Sequence, residues 1–204
     1  MKKKGIFLIC LLGTVVILSL ILINQIFSDK NVGATVDKKD LWQYALESKV
    51  PIIKNNNSEH QVVVFLDINC PHCKNYYHHE YESIIKPLID NKKIDYAEIQ
   101  HPVVNGESKE HAEMSNAIYN ALGYSTYQQY KDIAYTSRVS PKEIIDQLQL
   151  NSTEKQKVLN YHQSHMNQSY DIDKNHDFKV NEVPTVYIDG KRIDNLKNIS
   201  DYLK

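Results

Sequence analysis

The chain of 204 residues is long enough for one ordinary globular domain with an N-terminal attachment, but not comfortably for two domains. Lysine plus arginine (24) nearly balance aspartate plus glutamate (25), which gives a formal net charge of −1. The sequence contains no basic patch of the kind that binds nucleic acid, so we expect no nucleic-acid partner.

The first 30 residues predict a membrane helix. Lys2–Lys4 precede an apolar run from Ile6 to Ile23, which as a helix would extend about 27 Å, close to the thickness of a bilayer's hydrocarbon core. The lysines favour a cytoplasmic N-terminus and place the rest of the chain outside the cell. A cleaved signal peptide and a secreted product are the alternative, because Val32–Ala34 resembles a cleavage site, but the apolar run is longer than most signal peptides have.

Residues 31–57 are mostly polar and predict a tether and a lead-in to the folded domain. They contain one helical patch, which begins at Leu41, and a short edge strand at Val50–Ile53. Gln61–Ile68 follows, with a continuous β-branched and aromatic centre that suits a strand buried on both faces. We therefore expect the central strand of a sheet here.

A long helix and a second strand come next. Apolar and aromatic residues recur at steps of three and four from Tyr76 to Ile89, which predicts a helix to about Asp90. Pro87 should kink this helix. Ile94–Gln100 alternates apolar and polar residues and predicts a strand. Strand, helix and strand in this order indicate a right-handed crossover between parallel strands.

The last third of the chain predicts a helical insertion followed by a return to the sheet. Residues 107–174 carry only helical patterns, and we interpret them as an insertion between two halves of one fold. Thr185–Ile188 and Arg192–Ile193 predict two strands joined by a turn, and a short helix should start at Asn195. The predicted globular domain covers residues 58–204.

Cys70-Pro71-His72-Cys73 is the most informative motif. Of the three cysteines, Cys10 lies in the predicted membrane helix, which leaves Cys70 and Cys73 as the one closely spaced pair. This pair lies in the exported part of the chain, in a compartment where disulfides persist. At a strand–helix junction, the Cys70 sulfur lies beside the unpaired N–H groups of the helix N-terminus. Pro71 fits the first helical turn, and His72 adds a nearby positive charge, so both should lower the pKa of Cys70. Cys73, one turn further in, is the expected resolving cysteine.

Two other roles for the cysteine pair have to be weighed. The pair could form a purely structural disulfide, or half of a metal site together with His78 or His79. Zinc usually takes four protein ligands, the chain has no second cysteine pair, and neighbouring helical residues point about 100° apart. We therefore predict no metal and no bound organic cofactor. A stabilised thiolate favours the dithiol over the disulfide, so the motif favours oxidation of substrates.

A second feature, Val183-Pro184-Thr185, stands directly before a predicted strand. Proline is tolerated at the first residue of a strand, so a simple strand start is one interpretation. Together with the cysteine motif, however, the chain resembles the DsbA-like branch of the thioredoxin superfamily, in the membrane-anchored form of Gram-positive bacteria, over roughly Val50 to Lys204. The resemblance rests on Val62–Asp67 leading into Cys70-Pro71-His72-Cys73, on Tyr96–Pro102, on the helical insertion, and on Val183-Pro184-Thr185 before Tyr187-Ile188-Asp189-Gly190.

The resemblance implies an α/β thioredoxin-like fold in which the insertion caps the active site. It implies that Pro184 follows a cis peptide bond beside the cysteines, which leaves Val183, Pro184 and Thr185 to bind an extended substrate segment. His72 is the residue of the oxidising members. One departure is Val64, because many thioredoxin-fold enzymes bury an acid six residues before the first cysteine. Proton transfer to Cys73 should then rely on another group or on water.

The expected function is an extracytoplasmic thiol-disulfide oxidoreductase that introduces disulfide bonds through Cys70 and Cys73. Its expected partners are reduced exported proteins as substrates and a membrane-embedded thiol oxidase, or another electron acceptor, for reoxidation. The predicted N-terminal helix would hold it in the membrane. The alternatives are a disulfide reductase or isomerase on the same fold, and a non-catalytic, membrane-tethered binding module whose cysteines form a structural disulfide.

Overall fold

The computed structural model describes residues 32–166, 178 and 180–204. The predicted membrane segment, residues 1–30, lies outside this part of the chain. Within the described part, no helix combines the length and the apolar character needed to cross a membrane.

A six-stranded mixed sheet forms the centre of the domain. Its strands stand in the order β1-β6-β5-β3-β4-β2. The strands are β1 (Val32–Thr35), β2 (Ile52–Ile53), β3 (His60–Leu66), β4 (Ile94–Gln100), β5 (Thr185–Ile188) and β6 (Lys191–Ile193). β3 pairs in parallel with β4, from His60 opposite Ile94 to Leu66 opposite Gln100, and antiparallel with β5 on its other side. The predicted central strand, the parallel β3–β4 pair and the edge position of β2 are confirmed.

Helices cover both faces of the sheet. They are α1 (Lys38–Glu47), α2 (Pro71–Tyr76), a π-helix (Tyr77–Ile85), α3 (Lys86–Asp90), α4 (Gly106–Leu122), α5 (Tyr124–Ser137), α6 (Pro141–Gln147), α7 (Ser152–His165) and a 3₁₀-helix (Leu196–Tyr202). Side chains of β3 alternate between two apolar clusters, as a period-two strand requires. Val62 and Val64 pack with the cysteine-bearing helix and the insertion, whereas Val63 and Phe65 pack against α1.

The predicted kink at Pro87 takes a different form in the structure. The helix from Pro71 to Asp90 widens into a π-helix over Tyr77–Ile85, and the Lys86 N–H bonds the carbonyl oxygen of Tyr81, five residues back. Pro87 follows at once, in the first turn of α3. Proline lacks an N–H and its ring crowds the preceding turn, so a wider turn before it relieves the clash without ending the helix.

Two further features were not indicated by the sequence. All seven residues of β4 are buried, including the polar residues of its alternating pattern. Two polar side chains of β4 are paired: Asp95 accepts a hydrogen bond from the Asn55 N–H, and Glu98 accepts one from the Tyr96 hydroxyl. In addition, β1 lies in the segment predicted as a tether and pairs antiparallel with β6, Val32 opposite Ile193.

Gly190 makes the turn between β5 and β6. Its φ of +80° lies in the left-handed region, and a Cβ there would collide with the carbonyl oxygen of Val36. Only glycine fits both the conformation and the close approach of the chain. The Val36 N–H donates a hydrogen bond of 2.8 Å to the Gly190 carbonyl oxygen. This bond joins the segment after β1 to the turn at the end of β5.

Candidate active site

Cys70 lies at the junction that the sequence predicted. β3 ends at Leu66, the chain turns, and Cys70 is the extended N-cap residue of α2, with φ −78° and ψ 123°. Pro71 occupies the first helical turn, where its missing N–H leaves no partner unsatisfied. No side chain caps this helix N-terminus. Its free N–H groups are therefore available to the Cys70 sulfur.

The two cysteines are free thiols with unequal exposure. The relative accessibility of Cys70 is 6%, whereas that of Cys73 is 0%. The Cys73 sulfur accepts a hydrogen bond from the Asp67 N–H at 3.4 Å, and the Cys70 thiol donates to the Val183 carbonyl oxygen at 3.5 Å. Only Cys70 therefore offers a sulfur that an incoming molecule can reach.

The environment of Cys70 favours its thiolate. A hydrogen bond from the Cys73 thiol is the largest cause that lowers the pKa of Cys70, and the backbone N–H groups of Cys73 and His72 and the charge of His72 lower it further. Burial opposes them, and the resulting pKa is about 6. The helix N-terminus and the His72 charge both lower this pKa, and Cys73, whose contribution the sequence did not indicate, lowers it most. These contacts favour reaction of Cys70 as its thiolate.

Cys73 has the opposite character. Burial raises the pKa of Cys73 far above its usual range, and the hydrogen bond that it donates to Cys70 raises it further. One sulfur is therefore a ready nucleophile and the other a protonated thiol held beside it. This asymmetry supports the assignment of Cys70 as nucleophile and Cys73 as resolving cysteine, which stays a prediction.

The structure brings the second predicted motif to the cysteines. The Val183–Pro184 peptide bond is cis, and Val183 meets the Cys70 thiol through its carbonyl oxygen. Val183, Pro184, Thr185 and His72 line one cleft of about 390 Å³. The Thr185 hydroxyl donates to the Glu182 carbonyl oxygen at 2.7 Å, so it fixes the loop rather than facing outward. Binding of substrate by this loop remains a prediction.

A second cavity lies between Cys70 and the helical insertion. Its volume is about 280 Å³, and Cys70, Pro71 and Lys74 form part of its wall. Tyr135 and Arg138, from the end of α5, form another part. The insertion therefore borders the reactive sulfur, as the sequence resemblance implied.

The family follows from a comparison with known sequences. Residues 48–204, most of the chain, match the sequence profile of the family described as Thioredoxin. The chain belongs to the thioredoxin family. A comparison with curated proteins found no match.

Solved structures share the thioredoxin-family fold of this chain at low sequence identity. The thiol-disulfide exchange protein alpha-DsbA2 from Wolbachia pipientis is 19% identical, with a TM-score of 0.55 over 82% of this chain and 94% of that chain. MdbA, a thiol-disulfide oxidoreductase from Corynebacterium diphtheriae, is 16% identical, with a TM-score of 0.60 over 78% of this chain and 91% of that chain. Oxidised BdbD from Bacillus subtilis is 17% identical, with a TM-score of 0.50 over 76% of this chain and 93% of that chain. The DsbA-like resemblance and the thioredoxin-like α/β fold with its helical content are confirmed, whereas the N-terminal membrane helix stays a prediction.

The core of this thioredoxin-family member contains a buried acid, Glu98, that the sequence analysis did not single out. Val64 of β3 stands opposite Glu98 of β4, and both lie deep in the core. Glu98 pairs with Lys131 of α5 at 2.6 Å; their side-chain accessibilities are 1% and 0%. Tyr96 donates a hydrogen bond to Glu98 at 2.7 Å, and Tyr127 donates another. The charged residue in the middle of β4 was the available signal, but nothing local pointed to Lys131 as its partner.

Asp67 has a structural role in this site. Its carboxylate accepts hydrogen bonds from three backbone N–H groups, those of Asn69, Val103 and Val104, each at 2.9 Å. These bonds tie the loop after β4 to the turn that leads into Cys70. Among the described residues, no group of three or more histidines, cysteines and acids is placed to hold a metal ion, and His78 and His79 are exposed.

Proposed function

We propose that this protein is an extracytoplasmic thiol-disulfide oxidoreductase that introduces disulfide bonds into exported proteins. The observation that carries the proposal is the position of Cys70 at the uncapped N-terminus of α2, beside the buried Cys73, an environment that lowers the pKa of Cys70 to about 6. A thiolate of low pKa is also a good leaving group and stabilises the dithiol form, which makes the disulfide form a stronger oxidant.

The proposed cycle starts from the Cys70–Cys73 disulfide. A thiolate of a reduced exported protein attacks the sulfur of Cys70, the bond to Cys73 breaks, and a mixed disulfide through Cys70 forms. A second substrate thiolate then attacks the substrate sulfur of that mixed disulfide and expels the Cys70 thiolate. The substrate leaves oxidised, and the enzyme leaves as a dithiol. A membrane-embedded thiol oxidase, or another electron acceptor, restores the disulfide.

Substrate recognition is proposed for the loop at Pro184. The cleft that Val183, Pro184 and Thr185 line adjoins the cysteine-bearing helix, and an extended chain can bind backbone groups there without a defined sequence. A backbone-directed contact suits an enzyme whose substrates are many different unfolded chains.

The location of the protein is also part of the proposal. Lys2–Lys4 and the apolar run from Ile6 to Ile23 support a single-pass membrane protein with its catalytic domain outside the cell. Secretion after cleavage is the alternative. A cysteine pair whose reactive member has a stabilised thiolate suits a compartment in which proteins acquire disulfides.

The direct test is oxidation of a reduced, denatured protein that contains two cysteines. The oxidised full-length protein should form the substrate disulfide faster than an equal concentration of glutathione disulfide does. Cys70→Ser should abolish this acceleration, because it removes the sulfur that substrate attacks. A parent protein that gives no acceleration would sink the oxidase function. Preferential reduction or reshuffling of substrate disulfides would favour the reductase or isomerase alternative.

A further inference from the structure

The leaving sulfur in the proposed reaction is that of Cys73, and its negative charge must be stabilised in a site that excludes water. When a substrate thiolate attacks Cys70, the electron pair of the broken S–S bond goes to the sulfur of Cys73, and a new S–S bond joins the substrate to Cys70. Negative charge thus moves from solvent to a sulfur with 0% accessibility. The Asp67 N–H, at 3.4 Å from that sulfur, is one donor for this charge. A buried thiolate is costly with a single donor.

Tyr135 holds a buried hydroxyl on this side of the site. Its relative accessibility is 1%, and its hydroxyl has no hydrogen-bond partner among the residues that the structure describes. Buried polar groups are nearly always hydrogen-bonded in native proteins, because an unpaired buried donor destabilises the fold. Such a hydroxyl is available to a partner that forms in another state of the protein.

Packing places the Tyr135 ring over the turn that follows Cys73. The ring stacks on that of Tyr77, with centroids 4.8 Å apart and 24° between the planes. Tyr77 follows Cys73 by four residues, so the two side chains share one face of the helix, and side chains there lean towards its N-terminus. The Tyr77 hydroxyl donates to Asp132 of the same helix as Tyr135, which fixes the stack.

Two further observations connect Tyr135 with the reacting sulfurs. Tyr135 borders the cavity of about 280 Å³ whose wall includes Cys70. Burial raises the pKa of Tyr135, and negative charge on Cys73 is the next largest cause, ahead of Glu98, Asp67 and Cys70. The phenol thus keeps its proton and lies within electrostatic reach of the sulfur on which charge develops.

We propose that the Tyr135 hydroxyl donates a hydrogen bond to the Cys73 sulfur as that sulfur becomes a thiolate. Tyr135 keeps its proton throughout, and Cys73 later takes a proton in exchange with solvent. In the present dithiol state the hydroxyl does not bond either sulfur; the bond forms when negative charge appears on Cys73. Attack by Cys73 on a mixed disulfide is the reverse of the same step, so the hydroxyl assists both directions. The inference therefore rests on thiol-disulfide exchange, not on the oxidase direction of the proposed function.

The experiment measures how fast dithiothreitol reduces the oxidised full-length protein, with acid quench and mass detection of the thiols. Tyr135→Phe keeps the stacked ring and removes only the hydroxyl, and it should slow the reaction roughly 10- to 100-fold. Tyr130→Phe is the matched control. It removes a buried hydroxyl from the same helix, but that hydroxyl bonds His111 at 2.8 Å and should leave the rate near that of the parent.

A second measurement separates this role from a structural one. In a Cys73→Ala background, Cys70 attacks glutathione disulfide and Cys73 is no longer a leaving group. Tyr135→Phe should change that rate by less than about twofold, since the group that the hydroxyl serves is absent. A merely structural effect would lower both rates together and would overturn the role of Tyr135, as would an unchanged rate with dithiothreitol. A parent disulfide that reacts no faster than glutathione disulfide would overturn the proposed function, whereas the ratio of the parent and Tyr135→Phe rates still decides the role of Tyr135.

Discussion

Replacing Lys131 with methionine tests how the buried acid of β4 is held. Lys131 and Glu98 are almost completely buried and 2.6 Å apart, and the Lys131 ammonium also lies 3.6 Å from the centroid of the Tyr81 ring. Methionine keeps much of the side-chain length but leaves the Glu98 carboxylate without its counter-charge. Removing one partner of a buried ion pair typically costs about 3–5 kcal/mol, because a buried charge is left uncompensated.

The surroundings of Glu98 place the expected loss at the lower end of that range. Hydrogen bonds from Tyr96 and Tyr127 remain, so we expect Lys131→Met to lower the free energy of unfolding by about 3 kcal/mol at pH 7. Adding Glu98→Gln to Lys131→Met should recover most of the loss, because no charge is then buried.

Urea unfolding of the full-length variants, analysed by linear extrapolation, measures these differences. Lys86→Met is the matched control, since Lys86 forms an exposed pair with Asp90 at 3.5 Å. Its effect should stay within about 0.5 kcal/mol. The reasoning is refuted if Lys131→Met costs no more than this control, or if the double variant is as unstable as the single one.

Three further predictions concern the cysteines. Reduced protein treated with iodoacetamide should be alkylated at Cys70 with half-maximal rate near pH 6, while Cys73 stays unmodified until the fold opens; equal modification of both would contradict the asymmetry. Cys73→Ala should accumulate mixed disulfides between Cys70 and exported proteins, and a trap obtained only through Cys73 in a Cys70 variant would reverse the roles. His72→Ala should raise the pKa of Cys70 and make the pair more reducing. The rise in pKa should be smaller than that caused by Cys73→Ala, because the Cys73 thiol is the largest cause of the lowered pKa and the His72 charge the smallest. An ultraviolet thiolate titration measures the Cys70 pKa in both variants.

Local patterns were sufficient to predict the centre of the fold. The β-branched run within Gln61–Ile68, the step of three and four residues after Cys70 and the position of Pro71 each depend on neighbours within one turn or one strand. The structure places β3, the helix N-terminus and the cysteine motif accordingly. Pro184 was predicted beside the cysteines from a family resemblance, because no local pattern connects residues so far apart in the chain.

Features that depend on distant pairing were missed. β1 is short, and its partner Ile193 lies near the other end of the chain, so Val32–Thr35 showed no strand periodicity to detect. Lys131 and Glu98 are 33 residues apart, and the burial of Lys131 in α5 follows from its packing against Tyr81, not from the helical pattern. The influence of the Cys73 thiol on Cys70 also required coordinates, since its direction depends on which sulfur donates.

The reduction potential of the Cys70–Cys73 pair tests the central claim most directly. Full-length protein should be equilibrated with glutathione buffers of defined ratio, and the fraction of dithiol measured by mass after alkylation. Thiolate stabilisation at Cys70 predicts a pair that equilibrates with glutathione at a potential above about −180 mV, in the range of strong protein oxidants. A potential of about −270 mV would indicate a reductase. A pair that resists reduction by glutathione, with a potential below about −300 mV, would indicate a structural disulfide. Either result would contradict the proposed oxidase.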